Sequence, residues 1–169
     1  MPKMLPALPQ AFGDLKDVFR SAMLSTQGLT NPLQLPKVKS SIVILVDGLG
    51  WFQLQEFSGH ASFISKHLDK HSKGYSGFPS TTAASLVSLA SGVNPSEHGF
   101  IGYKVFDRAS SESINFLSGL QASAVTKYLT AATLDSETGS KTFVVTRPEY
   151  IGSGFSAATF PNSKTIGFA

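Results

Sequence analysis

Residues 78–99 read FPSTTAASLVSLASGVNPSEHG, and this pattern predicts a helix with hydroxyl side chains at its start. Its proline disfavours helical backbone for the residue before it. The hydroxyl residues 80–82 can cap free helix N–H groups. Helix-compatible residues follow from Ala83 to Ser91, and Gly92 is typical of the position just past a helix end. The stretch therefore predicts a hydroxyl at the positive end of a helix, where phosphate or another anion can bind.

A second stretch lies upstream, at residues 41–50, and reads SIVILVDGLG. The unbroken aliphatic run Ile42–Val46 is typical of a parallel strand that is buried on both faces. Asp47 follows directly, at the carboxyl end of the strand, where ligands bind in open α/β sheets. The connection from Asp47 to Thr82 is long enough for one crossover between parallel strands. The two stretches together predict an α/β domain with Asp47 and Thr82 near one sheet edge.

The remaining patterns predict a layered α/β/α domain with a mainly parallel sheet. We interpret residues 1–36 as a lead-in segment and residues 37–169 as the N-terminal part of the domain, because the apolar ending TIGFA is strand-like. The predicted elements before the nucleophile stretch are helix 14–24, strand 37–46, helix 49–57 with Trp51, Leu54 and Phe57 facing inward, helix 61–68 with Phe63, Ile64 and Leu68, and strand 75–78. After it we predict a hairpin of 102–107 with 113–117, helix 122–134, buried strand 141–146, loop 153–163 and strand 164–168.

Composition narrows the function classes. Of the residues, 41% are hydrophobic and 15% are charged, as expected for a folded soluble domain. The net charge of +3 comes with no Lys/Arg cluster, which argues against nucleic-acid binding. Cysteine is absent, so disulfides and thiolate metal sites are excluded. Neither a membrane span nor a signal-peptide pattern is visible, and we therefore expect a cytoplasmic protein without membrane partners.

The residue types at the two stretches indicate hydroxyl chemistry assisted by a metal. A threonine hydroxyl is a weak nucleophile near neutral pH and needs a base or a metal ion to activate it. No Lys or His lies close to Thr81 or Thr82 in the sequence, whereas Asp47 could hold a divalent ion. A cap or turn role remains open for each residue, because helix starts and turns favour the same residue types.

The motifs VILVDGLG and FPSTTAASLVSLASGVNPSEHGFIGY resemble the nucleotide pyrophosphatase/phosphodiesterase family of the alkaline phosphatase superfamily. The resemblance covers residues 41–103 well and continues weakly through KTFVVTRPEYIGSGFS. It implies hydrolysis of phosphodiester or pyrophosphate bonds in small phosphate-ester or nucleotide substrates, with two zinc ions and a phospho-threonine intermediate. It implies that Asp47 is a metal ligand and that Thr82 is both nucleophile and metal ligand. Thr81 and Ser85 are the candidate substrate-binding residues.

The sequence also departs from the family pattern. Ser85 stands where many members carry Asn. After Thr82 the chain has one histidine, His98, which the resemblance makes structural, and its aspartates Asp107 and Asp135 have no neighbouring histidine. The downstream zinc ligands are therefore missing, and we expect the chain alone to be inactive, since catalytic zinc takes three protein ligands.

Other interpretations stay open. The chain could be a truncated or degenerate non-catalytic α/β domain that at most binds an anion at the Thr82 helix start. A partner chain could instead complete its sheet. Arg147 could meet a substrate phosphate or be an ordinary solvated residue. Trp51 and Phe52 could line a base-binding slot or pack in the core.

Overall fold

The structure is a computed structural model, and it describes residues 13–69, 71–118, 120–137 and 139–168 as a mixed α/β chain. This confirms the α/β class. Residues 1–12 of the predicted lead-in lie outside the described residues. The helices are α1 (Leu15–Gln27), α2 (Trp51–Glu56), α3 (Ser62–Lys66), α4 (Thr82–Ser91), α5 (Pro95–His98), α6 (Ala122–Thr126), α7 (Leu134–Glu137) and α8 (Gly154–Thr159). The strands are β1 (Lys104–Asp107), β2 (Glu112–Asn115), β3 (Phe143–Thr146) and β4 (Lys164–Gly167), and a 3₁₀ turn spans Pro148–Tyr150.

The predicted helix at the start of the chain is confirmed as α1. Its first turn is fixed at Asp14, whose backbone N–H donates to the Asp17 carboxylate at 3.1 Å. Its end is fixed by Gly28, which adopts a left-handed φ of 74° that favours glycine. Ala22 and Met23 are buried, and this side of α1 packs against α4.

Helix α4 is the centre of the core, with the bounds that the sequence predicted. Thr81 caps it, since its Oγ1 accepts the N–H of Ala84 at 3.4 Å. Gly92 ends it with a left-handed φ of 71°. The core that surrounds α4 consists of buried small, aliphatic and aromatic side chains from five parts of the chain: Ala83, Val87, Phe100, Phe116, Val125, Phe155 and Ala158.

The predicted hairpin is confirmed. Strands β1 and β2 pair antiparallel, with Val105 opposite Ile114. These two side chains pack against the core, whereas Phe106 is 63% exposed on the other face. Side chains of β1 thus alternate between the core and solvent, as a period of two requires, although the outward Phe106 is itself apolar.

The predicted C-terminal strand is also confirmed, as β4, which pairs in parallel with β3. The segment between them is helix α8, so the prediction of a loop at 153–163 is wrong. Ser153 caps α8 by accepting the Ser156 N–H at 3.2 Å, and Phe155 is buried in the core. A good cap and a buried aromatic side chain outweigh a composition rich in Gly, Ser and Thr.

The predicted strand at 37–46 is absent, which is the largest correction. Residues 37–46 form neither helix nor strand, and residues 39–45 make no backbone–backbone hydrogen bond with other described residues. Ile42 is 88% exposed and Ile44 is 82% exposed. A strand requires a hydrogen-bonded neighbour, and an apolar run cannot supply one by itself. Within the described residues the predicted mainly parallel sheet is reduced to β3 and β4.

Burial was overestimated in three other elements. Strand β3 was expected to be buried, yet Phe143 is 59% exposed and Val145 is 62% exposed. Helices α2 and α3 are shorter than predicted and contain no buried residue. Phe57, expected to face inward, is 54% exposed, and Phe63 on α3 is 77% exposed. Apolar periodicity predicts which side of an element is apolar, but only a packing partner makes that side buried.

Two further elements differ from expectation. The predicted strand 75–78 is reduced to one isolated parallel bridge between Tyr75 and Asp14. The predicted helix 122–134 is replaced by the short helices α6 and α7. Residues 127–133 leave the helical path, and Thr130 there donates its N–H to the His98 carbonyl at 3.2 Å. A tertiary hydrogen bond thus takes the place of the predicted helical continuation.

Candidate functional site

The structure brings the predicted nucleophile and the predicted metal ligand together. Thr82 Oγ1 donates to Asp47 Oδ2 across 3.5 Å, a long hydrogen bond between two exposed side chains. Thr82 is the first residue of α4. Asp47 enters a turn, in which the Leu49 N–H donates to the Val46 carbonyl at 3.4 Å and Gly48 has a φ of 75°. Residues far apart in the sequence therefore meet at a helix N-terminus.

The two neighbouring threonines have different surroundings. Thr81 is the cap, with its hydroxyl oxygen occupied by the Ala84 N–H. Thr82 is one position further, and its hydroxyl points to Asp47 instead of the helix backbone. Ser85 lies one turn along the same helix, half-buried, and its N–H donates to the Thr81 carbonyl at 2.8 Å. The Thr82 hydroxyl is thus exposed at the helix start and does not cap the helix, whereas its role as nucleophile stays a prediction.

The electrostatics of this arrangement suit charged ligands of both signs. The first turn of a helix presents free N–H groups and a partial positive charge, which favour a phosphate group. The Asp47 carboxylate next to it can hold a cation. The first turn of α4 carries no acidic residue, so no side chain within the helix already neutralises its positive end.

The metal donors present are oxygen atoms of the right chemistry but too few for a tight zinc site. Asp47 and Thr82 provide a carboxylate and a hydroxyl, whereas catalytic zinc takes three protein ligands. No group of three His, Cys, Asp or Glu residues that could hold a metal occurs in the part of the chain that the structure describes.

His98 lies away from the site, in the core. It is 0% exposed, and its Nε2 is 2.9 Å from the Ser88 hydroxyl. Its Nδ1 accepts the backbone N–H of Phe100 at 3.1 Å. Both nitrogens therefore have partners in the protein, in agreement with the structural role predicted for this residue.

The remaining candidate residues are engaged elsewhere. Asp107 accepts the Ala109 N–H and the Tyr128 hydroxyl, both at 2.9 Å, and these two hydrogen bonds, that of Ala109 foremost, lower the pKa of the Asp107 carboxyl. Asp135 is buried and accepts hydrogen bonds from Thr133, Ser163 and the Asn162 backbone. Arg147 forms an exposed ion pair with Glu149 at 3.8 Å.

The aromatic pair after Asp47 is not core. Trp51 is half-buried and Phe52 is 81% exposed, so the core-packing alternative is wrong for Phe52.

The sequence did not predict the contact between Arg20 and the C-terminal end of α4. The Arg20 side chain of α1 lies against the end of α4, where a Cβ on Gly92 would come within 2.7 Å of the Arg20 Nε. A guanidinium at a helix C-terminus stabilises the helix dipole. The arginine within α1 gave no sequence signal for this role, because its partner lies on another element.

Comparisons with known proteins give the family. A family model described as "Type I phosphodiesterase / nucleotide pyrophosphatase" matches residues 41–166, which include both Asp47 and Thr82. Searches among curated proteins and among solved structures each found no match. None of the helices in the described ranges is long and apolar enough to span a membrane. The family match covers most of the chain, which therefore belongs to the type I phosphodiesterase/nucleotide pyrophosphatase family.

Proposed function

We propose that this chain carries the nucleophile of a metal-dependent hydrolase of phosphodiester or pyrophosphate bonds, with Thr82 as the attacking group. The observation that supports the proposal is the approach of Thr82 Oγ1 to Asp47 Oδ2, 3.5 Å apart at the N-terminus of α4. Family membership gives the reaction class. The expected substrates are small phosphate esters or nucleotides.

The N-terminus of α4 would bind a non-bridging phosphate oxygen, where free N–H groups and the helix dipole stabilise negative charge. Asp47 orients the Thr82 hydroxyl through their hydrogen bond. The Thr82 oxygen attacks phosphorus and forms a P–O bond while its proton passes to solvent water, and the P–O bond to the alcohol or phosphate leaving group breaks, the leaving oxygen taking a proton from solvent. Water then hydrolyses the phospho-threonine and regenerates the hydroxyl. Ser85, one turn along the helix, is expected to contact the same phosphate.

A divalent ion, zinc by resemblance, would supply charge neutralisation and a lower pKa for the threonine hydroxyl. Asp47 and Thr82 are the residues that would contact it. Because two oxygen donors fall short of a tight site, further ligands are required for turnover.

The second candidate function is a non-catalytic domain that binds an anion at the start of α4. It is favoured by the lack of a three-ligand group in the described ranges. It uses the same helix N-terminus but requires neither Thr82 chemistry nor a metal.

The test is hydrolysis of bis(4-nitrophenyl) phosphate together with the zinc content of the purified protein. If Thr82 is the nucleophile, Thr82→Ala abolishes zinc-dependent turnover, and Thr81→Ser, which keeps the cap, does not. Asp47→Asn should lower zinc binding and turnover together. A protein without zinc or turnover that still binds inorganic phosphate would support the non-catalytic function. Turnover that survives Thr82→Ala would contradict the proposed nucleophile.

A further inference from the structure

The His98 ring lies where three parts of the core meet. It is the last residue of α5, it contacts Ser88 on α4, and it accepts the N–H of Phe100, which begins the segment toward the hairpin. His98 is 0% exposed and Phe100 is 1% exposed. Ser88 is also buried. This ring thus joins α4 to the segment that follows it by side-chain hydrogen bonds.

The two hydrogen bonds define the protonation state of the ring. A backbone N–H is always a donor, so Nδ1 of His98 must be unprotonated to accept the Phe100 N–H. The neutral ring then carries its proton on Nε2, which donates to the Ser88 hydroxyl. Because Nε2 carries a proton, His98 cannot act as a base toward Ser88, and this buried pair is not a catalytic dyad.

The surroundings offer little compensation for a charged ring. Helix α4 contains no charged residue. On α5 the nearest carboxylate is Glu97, which already accepts the Asn94 backbone and side-chain N–H groups at 3.0 Å and 2.9 Å. Charged groups also occur on neighbouring elements. Asp107 accepts the hydroxyl of Tyr128, whose ring packs on Phe116. Arg20 of α1 lies at Gly92, the end of α4. Burial lowers the pKa of His98, and the opposing effects of the His98 and Ala84 carbonyls and of Glu97 do not reverse this.

We propose that the His98 hydrogen bonds hold α4 and the Phe100 segment together while the ring is neutral, and that protonation of the ring breaks this connection. We call this arrangement the His98 latch, and its loss on protonation opening. A second proton would make Nδ1 a donor that faces the donor N–H of Phe100. That hydrogen bond must break, and the cost of burying the charged ring exceeds the favourable effects of the His98 and Ala84 carbonyls and of Glu97. Opening would release Phe100 from its contact with the Phe116 ring, 4.5 Å away between centroids, and loosen the C-terminal half of α4.

The direction of the pH effect follows from the lowered pKa. In the unfolded chain His98 titrates at about 6.5. The stabilising contribution of the neutral ring is fully present above that pH and is lost as pH falls toward the pKa of the folded state.

Thermal unfolding of the whole chain between about pH 8 and about pH 5, around the unfolded histidine pKa of about 6.5, tests the proposal. His98→Asn provides a carbonyl oxygen near the Nδ1 position and does not titrate. The matched control is His67→Asn, at an exposed histidine. We expect the midpoint of the wild type and of His67→Asn to fall as pH is lowered through this range, and that of His98→Asn to fall less. An equal fall in His98→Asn would overturn the proposal.

A second measurement applies to the wild type and covers the case in which His98→Asn does not fold. Nitrogen NMR of the His98 ring should show an unprotonated Nδ1 at neutral pH. On acidification, hydrogen-exchange protection of the Phe100 amide should disappear as the ring takes up a proton. A protonated Nδ1 at neutral pH, or Phe100 protection that persists with a charged ring, would contradict the latch.

Discussion

At the scale of single residues, the neighbouring hydroxyls of Thr81 and Thr82 have different hydrogen-bond partners. Thr81 is a cap whose oxygen accepts the Ala84 N–H, whereas the Thr82 hydroxyl is directed at Asp47. We expect Thr81→Ala to destabilise the protein by about 1 kcal/mol, the usual cost of a lost cap. Thr82→Ala should cost less, because its hydroxyl satisfies no helix N–H. Urea denaturation of both variants checks this, and a larger loss in Thr82→Ala would show that Thr82 has the structural role.

Asp135 is a second residue whose role depends on its surroundings. Its Oδ2 accepts the Asn162 N–H and the Ser163 hydroxyl, both at 2.9 Å, and so ties α7 to the turn before β4. Asp135→Ala removes the acceptor of these two donors and of the buried Thr133 hydroxyl, and should cost about 2 kcal/mol. Glu137→Ala, at an exposed acid of the same helix, is the control and should change the unfolding free energy little. Similar losses in both variants would rule out the proposed tie.

At the scale of elements, the end of α4 combines backbone and side-chain constraints. Gly92 has a left-handed φ, and a Cβ there would meet the Arg20 guanidinium. Gly77 also has a left-handed φ, of 84°, but a Cβ there would meet nothing within 4 Å. Gly77→Ala should therefore report backbone strain alone, about 1 kcal/mol, and Gly92→Ala should cost more. Equal losses in thermal unfolding would mean that Arg20 moves aside freely.

At the scale of the whole molecule, apolar side chains are unevenly shared between core and surface. Val87 is 1% exposed in the core, whereas Ile44 is 82% exposed on the unpaired run. Val87→Thr, which buries a hydroxyl, should cost about 1–3 kcal/mol. Ile44→Thr should leave the unfolding free energy within about 0.5 kcal/mol and should reduce aggregation, since exposed apolar β-like segments promote association. Light scattering and denaturation measure both effects, and a large destabilisation by Ile44→Thr would show that the run is packed in solution.

The candidate site could be predicted from the sequence to a large extent, because its parts are local motifs. A carboxylate after an aliphatic run and a hydroxyl after a proline turn are visible without a structure, and the structure brings Asp47 and Thr82 together. Their shared role in catalysis stays a prediction. The proton arrangement of His98 could not be predicted, because it depends on Ser88 and on the backbone of Phe100.

By itself, the sequence determined the family and the elements whose limits are set by nearby residues. Helix α4 runs from its threonine cap to Gly92 as predicted, and α1 and the hairpin form where predicted, although α1 extends to Gln27 and not to residue 24. Caps, left-handed glycines and alternation act within a few residues of where they are read. The tertiary structure was needed to show that the 42–46 run pairs with no other described strand, that Asp135 is buried and that α8 is a helix. The first two outcomes depend on a strand partner and on hydrogen-bond donors elsewhere in the chain, whereas α8 combines a local Ser153 cap with a packing surface for Phe155 that the local sequence does not reveal.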